Sequence, residues 1–388
     1  MNRAKLKMYL LTILNLMIPK KRDSLFFYDI NCISLNEMAM IQYLVEHHLD
    51  KKYEISVITN RPDLVSMVIP KEYVYSNDKH GLWKQLRSKY LFLEQNSHEW
   101  SVYRAPGQKI IQLWHGLPIK KVGYLHNPSP LYAYDSVYSH VLAPSPYGWE
   151  IMKKCFHYSD HKKIISSPPR CDLMCHKLFN EQYQALGLDP NRKLILWMPT
   201  FRNNSTETDR DYHCDFPLLN AERLMMLDEY LDTHGAQLVI KLHSLQKKVE
   251  LLEQNYKRIF VFENPDLFTK KIDPYSLLGS SDCLITDYSS TVYDYLLLDR
   301  PIIFTVDDLD RFLSVRGFIE DDYMSFFCGP CVSTYDHLIH EIEKALAGTD
   351  QEANASLRKK RDQLINSYHD FKNCERVFKA LSLIDQAS

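Results

Sequence analysis

At 388 residues the chain is too long for one ordinary hydrophobic core and suits two domains, and 45% hydrophobic with 25% charged residues is the balance of a soluble globular protein. A net charge of −2 supplies no global field to draw nucleic acid, so no nucleic-acid partner is expected. The 11 glycines form neither a G-x-G-x-x-G nor a G-x-x-x-x-G-K-[ST] string, which excludes a dinucleotide fingerprint and a Walker-type phosphate loop.

In chain order, Arg3, Lys5, Lys7, Lys20, Lys21 and Arg22 flank the apolar run Met8–Ile18, with no acid before Asp23. That run is shorter than the ~20 residues a membrane span needs, and no small-residue cleavage site follows it. Residues 1–22 therefore read as a helix lying on an anionic membrane surface, which makes the protein peripheral at the cytoplasmic membrane face; a first helix packed on the protein is the other reading.

Short apolar strands then alternate with helical patterns, the signature of βαβ units and a parallel sheet. Strands are expected at Ser24–Tyr28, Glu54–Thr59, Lys109–Trp114 and His140–Ala143, with helices at Glu37–His48 and Tyr147–Phe156. After a break at Ser166–Pro169 and a short helix at Glu181–Leu186, strands recur at Lys193–Met198, Gln237–Leu242, Ile259–Phe262, Cys283–Thr286 and Pro301–Thr305. Helical patterns cover Leu224–Thr233, Asp273–Leu278, Thr291–Leu298 and His337–Ala347, and a last helix covers Ala353–Asn366. The expected organisation is an α/β domain over 23–175, a second over 190–350 and a C-terminal helical segment over 351–388, with an interdomain cleft at the C-terminal edges of the two sheets.

Nine cysteines, odd in number and irregular in spacing, do not form a secreted disulfide framework and read as reduced thiols. Cys328-Gly329-Pro330-Cys331 has thioredoxin-like spacing, but Val332-Ser333-Thr334 continues it in an extended pattern where a redox motif would open a helix. A zinc site joining Cys171 and Cys175 to that pair would need two distant loops to converge.

Polar clusters fall just after the expected strands. His115 closes one strand, beside Gly116 and ahead of Lys120 and Lys121; it suits a general base, and the lysines suit phosphate charge. Thr200 and Arg202 follow the strand Lys193–Met198, and Arg202 offers a planar fork to a phosphate. His243 follows the strand ending in Lys241-Leu242. Asp287, Ser289, Ser290 and Thr291 form a polar turn between a strand and a helix, where backbone N–H groups and hydroxyls converge, and Asp294 lies one helical turn on, placed to accept from ribose hydroxyls. Each has a plainer reading taken alone: a histidine bonded to its loop, a surface arginine, a strand cap, ordinary helix capping, a carboxylate on a helix face. Together they fit phosphate binding with acid–base chemistry. Asp307, Asp308 and Asp310 read as a solvated acidic loop rather than a hard-cation site, so a metal-independent, cofactor-free transfer is the simpler expectation.

Read in order, the strings QLWHGLPIKKVGY (Gln112–Tyr124), APSPYGW (Ala143–Trp149), LWMPTFRN (Leu196–Asn203), IKLH (Ile240–His243) and SDCLITDYSSTVYDYLLLDRPIIF (Ser281–Phe304), with Arg316-Gly317-Phe318 and Gly329-Pro330, resemble the CDP-glycerol glycerophosphotransferases of teichoic acid and related capsule synthesis. The resemblance covers about residues 105–345 and implies a GT-B-like fold of two Rossmann-like, doubly wound domains. It implies a CDP-glycerol donor, with CDP-ribitol as the variant, a hydroxyl acceptor on a lipid-linked or polymeric envelope glycan, and CMP as leaving group. Carried over by position, His115 is the base, His243 faces the donor pyrophosphate, Arg202, Ser289 and Ser290 contact donor phosphates, and Asp294 takes an acidic ribose-contacting place. The N-terminal third matches poorly and the chain is near the length of a primase-like member. A nucleotide-sugar glycosyltransferase on the same architecture, and a membrane-associated scaffold without activity, are the competing readings.

Overall fold

The computed structural model describes residues 3–28, 33–94, 105–128, 135–200, 218–242, 255–350 and 352–385, and divides into two compact units. Unit 1 comprises Met1–Leu117, Val122–Leu173 and Asn366–Ser388; unit 2 comprises Pro118–Lys121 and Met174–Ile365.

Among the described residues, unit 1 is built on strands β1 (Lys21–Tyr28), β2 (Glu54–Thr59), β3 (Val74–Ser76), β4 (Ser88–Leu93), β5 (Lys109–Gln112), β6 (His140–Ala143) and β7 (Lys163–Ile165), in the order β3-β2-β1-β4-β5-β6-β7 with every pair parallel. A sheet covered on both faces needs continuous apolar runs, and Leu25-Phe26-Phe27 on β1 and Leu91-Phe92-Leu93 on β4 supply them. The Phe27 and Phe92 rings stack 4.8 Å apart across that central pair. Helix Leu35–Glu46 starts at Ser34, whose hydroxyl accepts from the Glu37 amide, and helix Pro146–Phe156 starts at Ser145 with proline in its first turn.

Unit 2 is built on β8 (Lys193–Met198), β9 (Ala236–Lys241), β10 (Ile259–Phe262), β11 (Cys283–Thr286), β12 (Ile302–Thr305) and β13 (Cys331–Val332), in the order β10-β9-β8-β11-β12-β13, again all parallel. Trp197, Ile240 and Ile285 on the sheet bury against Leu224, Leu227 and Leu231 of helix Ala221–Thr233. Cys331 opens a strand rather than a helix, and a Cβ on Gly329 would lie 2.0 Å from the Ile302 carbonyl oxygen, so Gly-Pro here serves a close backbone approach.

Both sheets read third-second-first-fourth-fifth-sixth in strand order, with β7 added as a seventh strand in unit 1, the doubly wound arrangement whose direction reverses between the first and fourth strands. The reversals fall at β1/β4 and at β8/β11, and ligands of open parallel sheets bind at the C-terminal edge of such points.

Three expectations need correction. The strand expected over Lys109–Trp114 ends at Gln112, because Trp114 takes a left-handed φ of 56°. The central strand β4 was not foreseen: it follows helix Lys79–Arg87 with no turn residue between, so the two patterns merge. The single C-terminal helix is two, Glu352–Ile365 in unit 2 and Asn373–Ala380 in unit 1. Lys372 provides no side-chain cap to the second; Asp172 does, its carboxylate accepting from the Asn373 and Cys374 amides at 2.9 and 2.7 Å and from Asn373 Nδ2 at 2.8 Å. Asp172→Ala is expected to lower stability by about 1–2 kcal/mol, read as a shift in the urea midpoint; an unchanged midpoint would contradict this capping role.

Helix Arg3–Met17 rises about 22 Å, and no helix among the described residues is long and apolar enough to cross a membrane. It is anchored at its C-terminal end: Asn15, buried, donates to Gln108 Oε1 at 2.8 Å, and Lys20 Nζ donates to the Asn15 and Leu86 carbonyls. Leu10, Ile13, Leu14 and Met17 stay exposed at i, i+3, i+4 and i+7. The two readings of this helix are thus not exclusive, since it packs through Asn15 and Ile18 while presenting an apolar stripe.

Candidate functional site

In unit 1 the chain turns sharply after β5. Trp114 and Gly116 both have positive φ, 56° and 110°, on either side of His115. A bulky residue in that region is strained, and such strain clusters at functional positions. The strain is held by partners: the Trp114 amide donates to Gln112 Oε1 at 2.9 Å, and the Trp114 carbonyl accepts from Asn36 Nδ2 at 2.8 Å. His115 is exposed, with its ring stacked on Trp114 at 4.3 Å. Lost hydration along the covered side, then the Arg170 guanidinium, lower the His115 pKa to about 4, and a hydrogen bond with the Glu94 backbone opposes them. The exposed edge tempers the first of these; the direction, toward a neutral imidazole, is the same for both.

Glu94 follows β4, Asn36 opens the helix after β1, and Arg170 follows β7, so these residues meet at the β1/β4 switch point. Asn36 Nδ2 also donates to Glu94 Oε1 at 2.9 Å, Asn36 Oδ1 accepts from the Arg170 amide at 3.1 Å, and Arg170 Nη2 donates to the His115 carbonyl at 3.2 Å. The residue types alone did not mark Asn36, Glu94 or Arg170. A charged residue directly after a strand was the available signal for Glu94, once β4 is seen as a strand.

In unit 2 the switch point lies between the ends of β8 and β11. Asp287 is fully buried there; its carboxylate accepts from the Thr200 amide at 3.0 Å and from Thr200 Oγ1 at 2.9 Å. Thr286 Oγ1 donates to the Met198 carbonyl at 2.7 Å, a second tie between the same strand ends. Ser289, Ser290 and Thr291 are half-buried and reachable from solvent. Ser289 Oγ, not Ser290, accepts from the Thr291 amide, at 3.3 Å, leaving Ser290 without a side-chain capping bond. Asp294 is buried and accepts from the Tyr275 hydroxyl. Asp287 and Asp294, expected as ligand contacts, are both buried, and each accepts from a protein donor, Thr200 and Tyr275 respectively, in the wall behind the hydroxyl turn.

Lys120 and Lys121 belong to unit 2, contrary to their expected place in the N-terminal domain. Lys120 bridges to Phe318 in an antiparallel pair, the Lys121 amide donates to the Gly317 carbonyl at 3.3 Å, and the Ile319 amide donates to the Ile119 carbonyl at 2.9 Å. Lys120 Nζ lies 5.6 Å above the Phe312 ring, which stacks 4.0 Å from Tyr288, and the Tyr288 hydroxyl donates to Asp308 at 2.9 Å. Lys120 thus sits over aromatics that continue directly from the Ser289 turn. At the end of β9, Lys241 is buried and donates to the Leu242 carbonyl at 2.7 Å; desolvation lowers its pKa to about 8, against a smaller opposing effect of Glu263. Arg202 and His243 lie outside the described residues.

Two accessible chemistries therefore stand at the two switch points: a strained, neutral-favouring imidazole in unit 1, and a braced hydroxyl turn in unit 2. The family model for CDP-glycerol:poly(glycerophosphate) glycerophosphotransferases matches residues 10–383. The chain is 26% identical over 377 residues to a teichoic acid glycerol-phosphate transferase of Staphylococcus aureus (strain NCTC 8325 / PS 47), covering 89% of each chain. It is 28% identical over 299 residues to a teichoic acid ribitol-phosphate primase of Bacillus spizizenii (strain ATCC 23059 / NRRL B-14472 / W23), covering 72% of each. Among solved structures, the wall teichoic acid polymerase TagF superposes with a TM-score of 0.74 at 18% identity, over 98% of this chain and 93% of that one, which shows the GT-B-like fold.

Proposed function

The chain belongs to the CDP-glycerol:poly(glycerophosphate) glycerophosphotransferase family, and from that premise we propose that it moves glycerol phosphate from CDP-glycerol to a hydroxyl of a lipid-linked or polymeric cell-envelope glycan, releasing CMP. The acceptor oxygen forms a bond to the glycerol-bearing phosphorus. The bond from that phosphorus to the bridging oxygen breaks, CMP leaves with that oxygen, and the acceptor proton passes to His115.

The observation that carries this reading is the His115 turn: a solvent-accessible imidazole, on a backbone whose carbonyls are held by Asn36 and Arg170 and with its pKa lowered toward the neutral form, suits a base that takes a proton from a hydroxyl. On the donor side Ser289 and Ser290 offer half-buried, solvent-reachable hydroxyls beside the helix start, with Arg202 and His243 as the further phosphate contacts and Lys120 and Lys121 as nearby cations. Phosphoryl transfer asks a protein for positioning and charge screening rather than covalent help, and these residue types supply both.

A donor panel tests it: purified protein is offered CDP-glycerol, CDP-ribitol, UDP-sugars and GDP-sugars, and released nucleotide is identified. CMP from CDP-glycerol is expected. Preferred turnover of CDP-ribitol moves the assignment to ribitol phosphate, a reading supported by the comparable identity to the ribitol-phosphate primase. Release of UDP or GDP from a nucleotide sugar contradicts both.

The exposed stripe of Leu10, Ile13, Leu14 and Met17, with the basic residues of 1–22, supports work at a membrane surface, where a lipid-linked acceptor resides. The triple substitution Leu10→Glu, Ile13→Glu, Met17→Glu is expected to abolish co-sedimentation with phosphatidylglycerol vesicles without moving the thermal midpoint. Undiminished pelleting would contradict the membrane role.

A further inference from the structure

Among the described residues, Arg170 contacts His115, Glu94 and Asn36 at the base of the His115 turn. Its guanidinium donates to the His115 carbonyl at 3.2 Å and faces Glu94 Oε1 at 3.6 Å, while its amide donates to Asn36 Oδ1 at 3.1 Å. Asn36 in turn ties Glu94 and the Trp114 carbonyl through one amide nitrogen, at 2.9 and 2.8 Å. Two successive carbonyls of a strained turn, those of Trp114 and His115, are thus each gripped by a side chain from a different element. These two side chains and the Glu94 between them are nearly buried: Asn36 is wholly so, and the Arg170 and Glu94 side chains are only 9% and 12% exposed.

Placing an arginine and a glutamate in such a site is a poor way to gain stability, because desolvating both charges offsets most of their attraction. The Arg170–Glu94 separation of 3.6 Å is also longer than a close charge-assisted hydrogen bond. What the cluster does supply is geometry. Together with the Gln112 bond to the Trp114 amide, it holds a tryptophan at φ 56° in the left-handed region, where its Cβ crowds the backbone.

We propose that Arg170, with Asn36 and Glu94, is a positioning residue that locks the His115 turn in its strained shape and so keeps the imidazole aimed for proton removal. This rests on the base role of His115 given above. Among the described residues, the cation beside His115 is Arg170, from the segment after β7, while Glu94, at the end of β4, meets the ring through its backbone and turns its carboxylate to Arg170; on its own turn the neighbours are Trp114 and Gly116, both uncharged. The sign of the effect follows. Neutral imidazole is the active form, a nearby cation disfavours protonation, and so Arg170 extends activity toward lower pH. Removing that cation raises the imidazole pKa and moves the acid limb of kcat/KM upward in pH.

Two substitutions separate the roles of shape and charge. Arg170→Lys keeps a cation but loses the planar fork; it is expected to lower kcat by up to about 100-fold, with donor KM and the acid limb nearly unchanged. Arg170→Met loses both and is expected to lower kcat similarly and also to shift the acid limb upward. A general loss of fold would lower the concentration of active enzyme but would not move a pH limb. Should Arg170→Met not fold, histidine-selective NMR on the wild-type protein reads the His115 titration directly, and titration in the ordinary histidine range overturns the proposal. Wild-type kcat and an unmoved limb in both variants overturn it as well. His115→Ala is run alongside: if that variant retains full turnover, the base assignment itself fails, whereas an inactive His115→Ala with wild-type Arg170 variants removes the positioning role alone.

Discussion

His115→Ala is expected to lower kcat for CMP release from CDP-glycerol by about 100- to 10,000-fold, the range a positioned general base contributes. Donor KM is expected to stay near the wild-type value, since no donor contact is lost. Stability is expected to change by about 0.5 kcal/mol or less, because the side chain is exposed and makes its main contact by stacking on Trp114. That combination, a large loss in turnover with an intact fold, distinguishes a base from a structural histidine. Steady-state kinetics with a thermal melt of the same preparation checks it; turnover within a few-fold of wild type would contradict the assignment.

Asp287→Ala is expected to act on the other site through its frame. The carboxylate is fully buried and takes the Thr200 amide and hydroxyl, so its removal leaves donors at the end of β8 without their acceptor. Hydrogen bonds to a charged partner contribute about 1.5–3 kcal/mol each, and a loss of that order or more in unfolding free energy is expected. The β8 and β11 ends should loosen together with the Ser289 turn, raising donor KM more than it lowers kcat at saturation. Asp287→Asn, of nearly the same shape, should recover part of both effects. A donor KM unchanged in Asp287→Ala would show that the hydroxyl turn does not depend on this brace.

Much of this architecture was legible from apolar runs. Strands buried on both faces, such as Leu194–Trp197 and Leu284–Ile285, stand out by composition, and the polar residues directly after them mark the sheet edge. What escaped was whatever depends on contacts distant in sequence or on side-chain direction. β4 was hidden because Arg87 ends a helix and Ser88 starts a strand with nothing between. The return of Asn373–Ala380 to unit 1 depends on Asp172, some 200 residues earlier. His115, Thr200, Ser289 and Ser290 could be placed at strand ends from the sequence. That Asp287 and Asp294 turn inward could not, because neighbouring positions in a short turn and helix differ in facing by geometry and not by residue type. The partners of His115 were equally invisible: Asn36, Glu94 and Arg170 come from three separate elements and converge only once the strand order is known.

Transfer of the phosphate together with the alcohol is followed with CDP-glycerol labelled with 32P at the glycerol-bearing phosphorus. With a lipid-linked glycan acceptor, label is expected in the acceptor, with an equal amount of unlabelled CMP in solution. Label leaving as CDP, with glycerol alone transferred, or no turnover of CDP-glycerol at all, would contradict it.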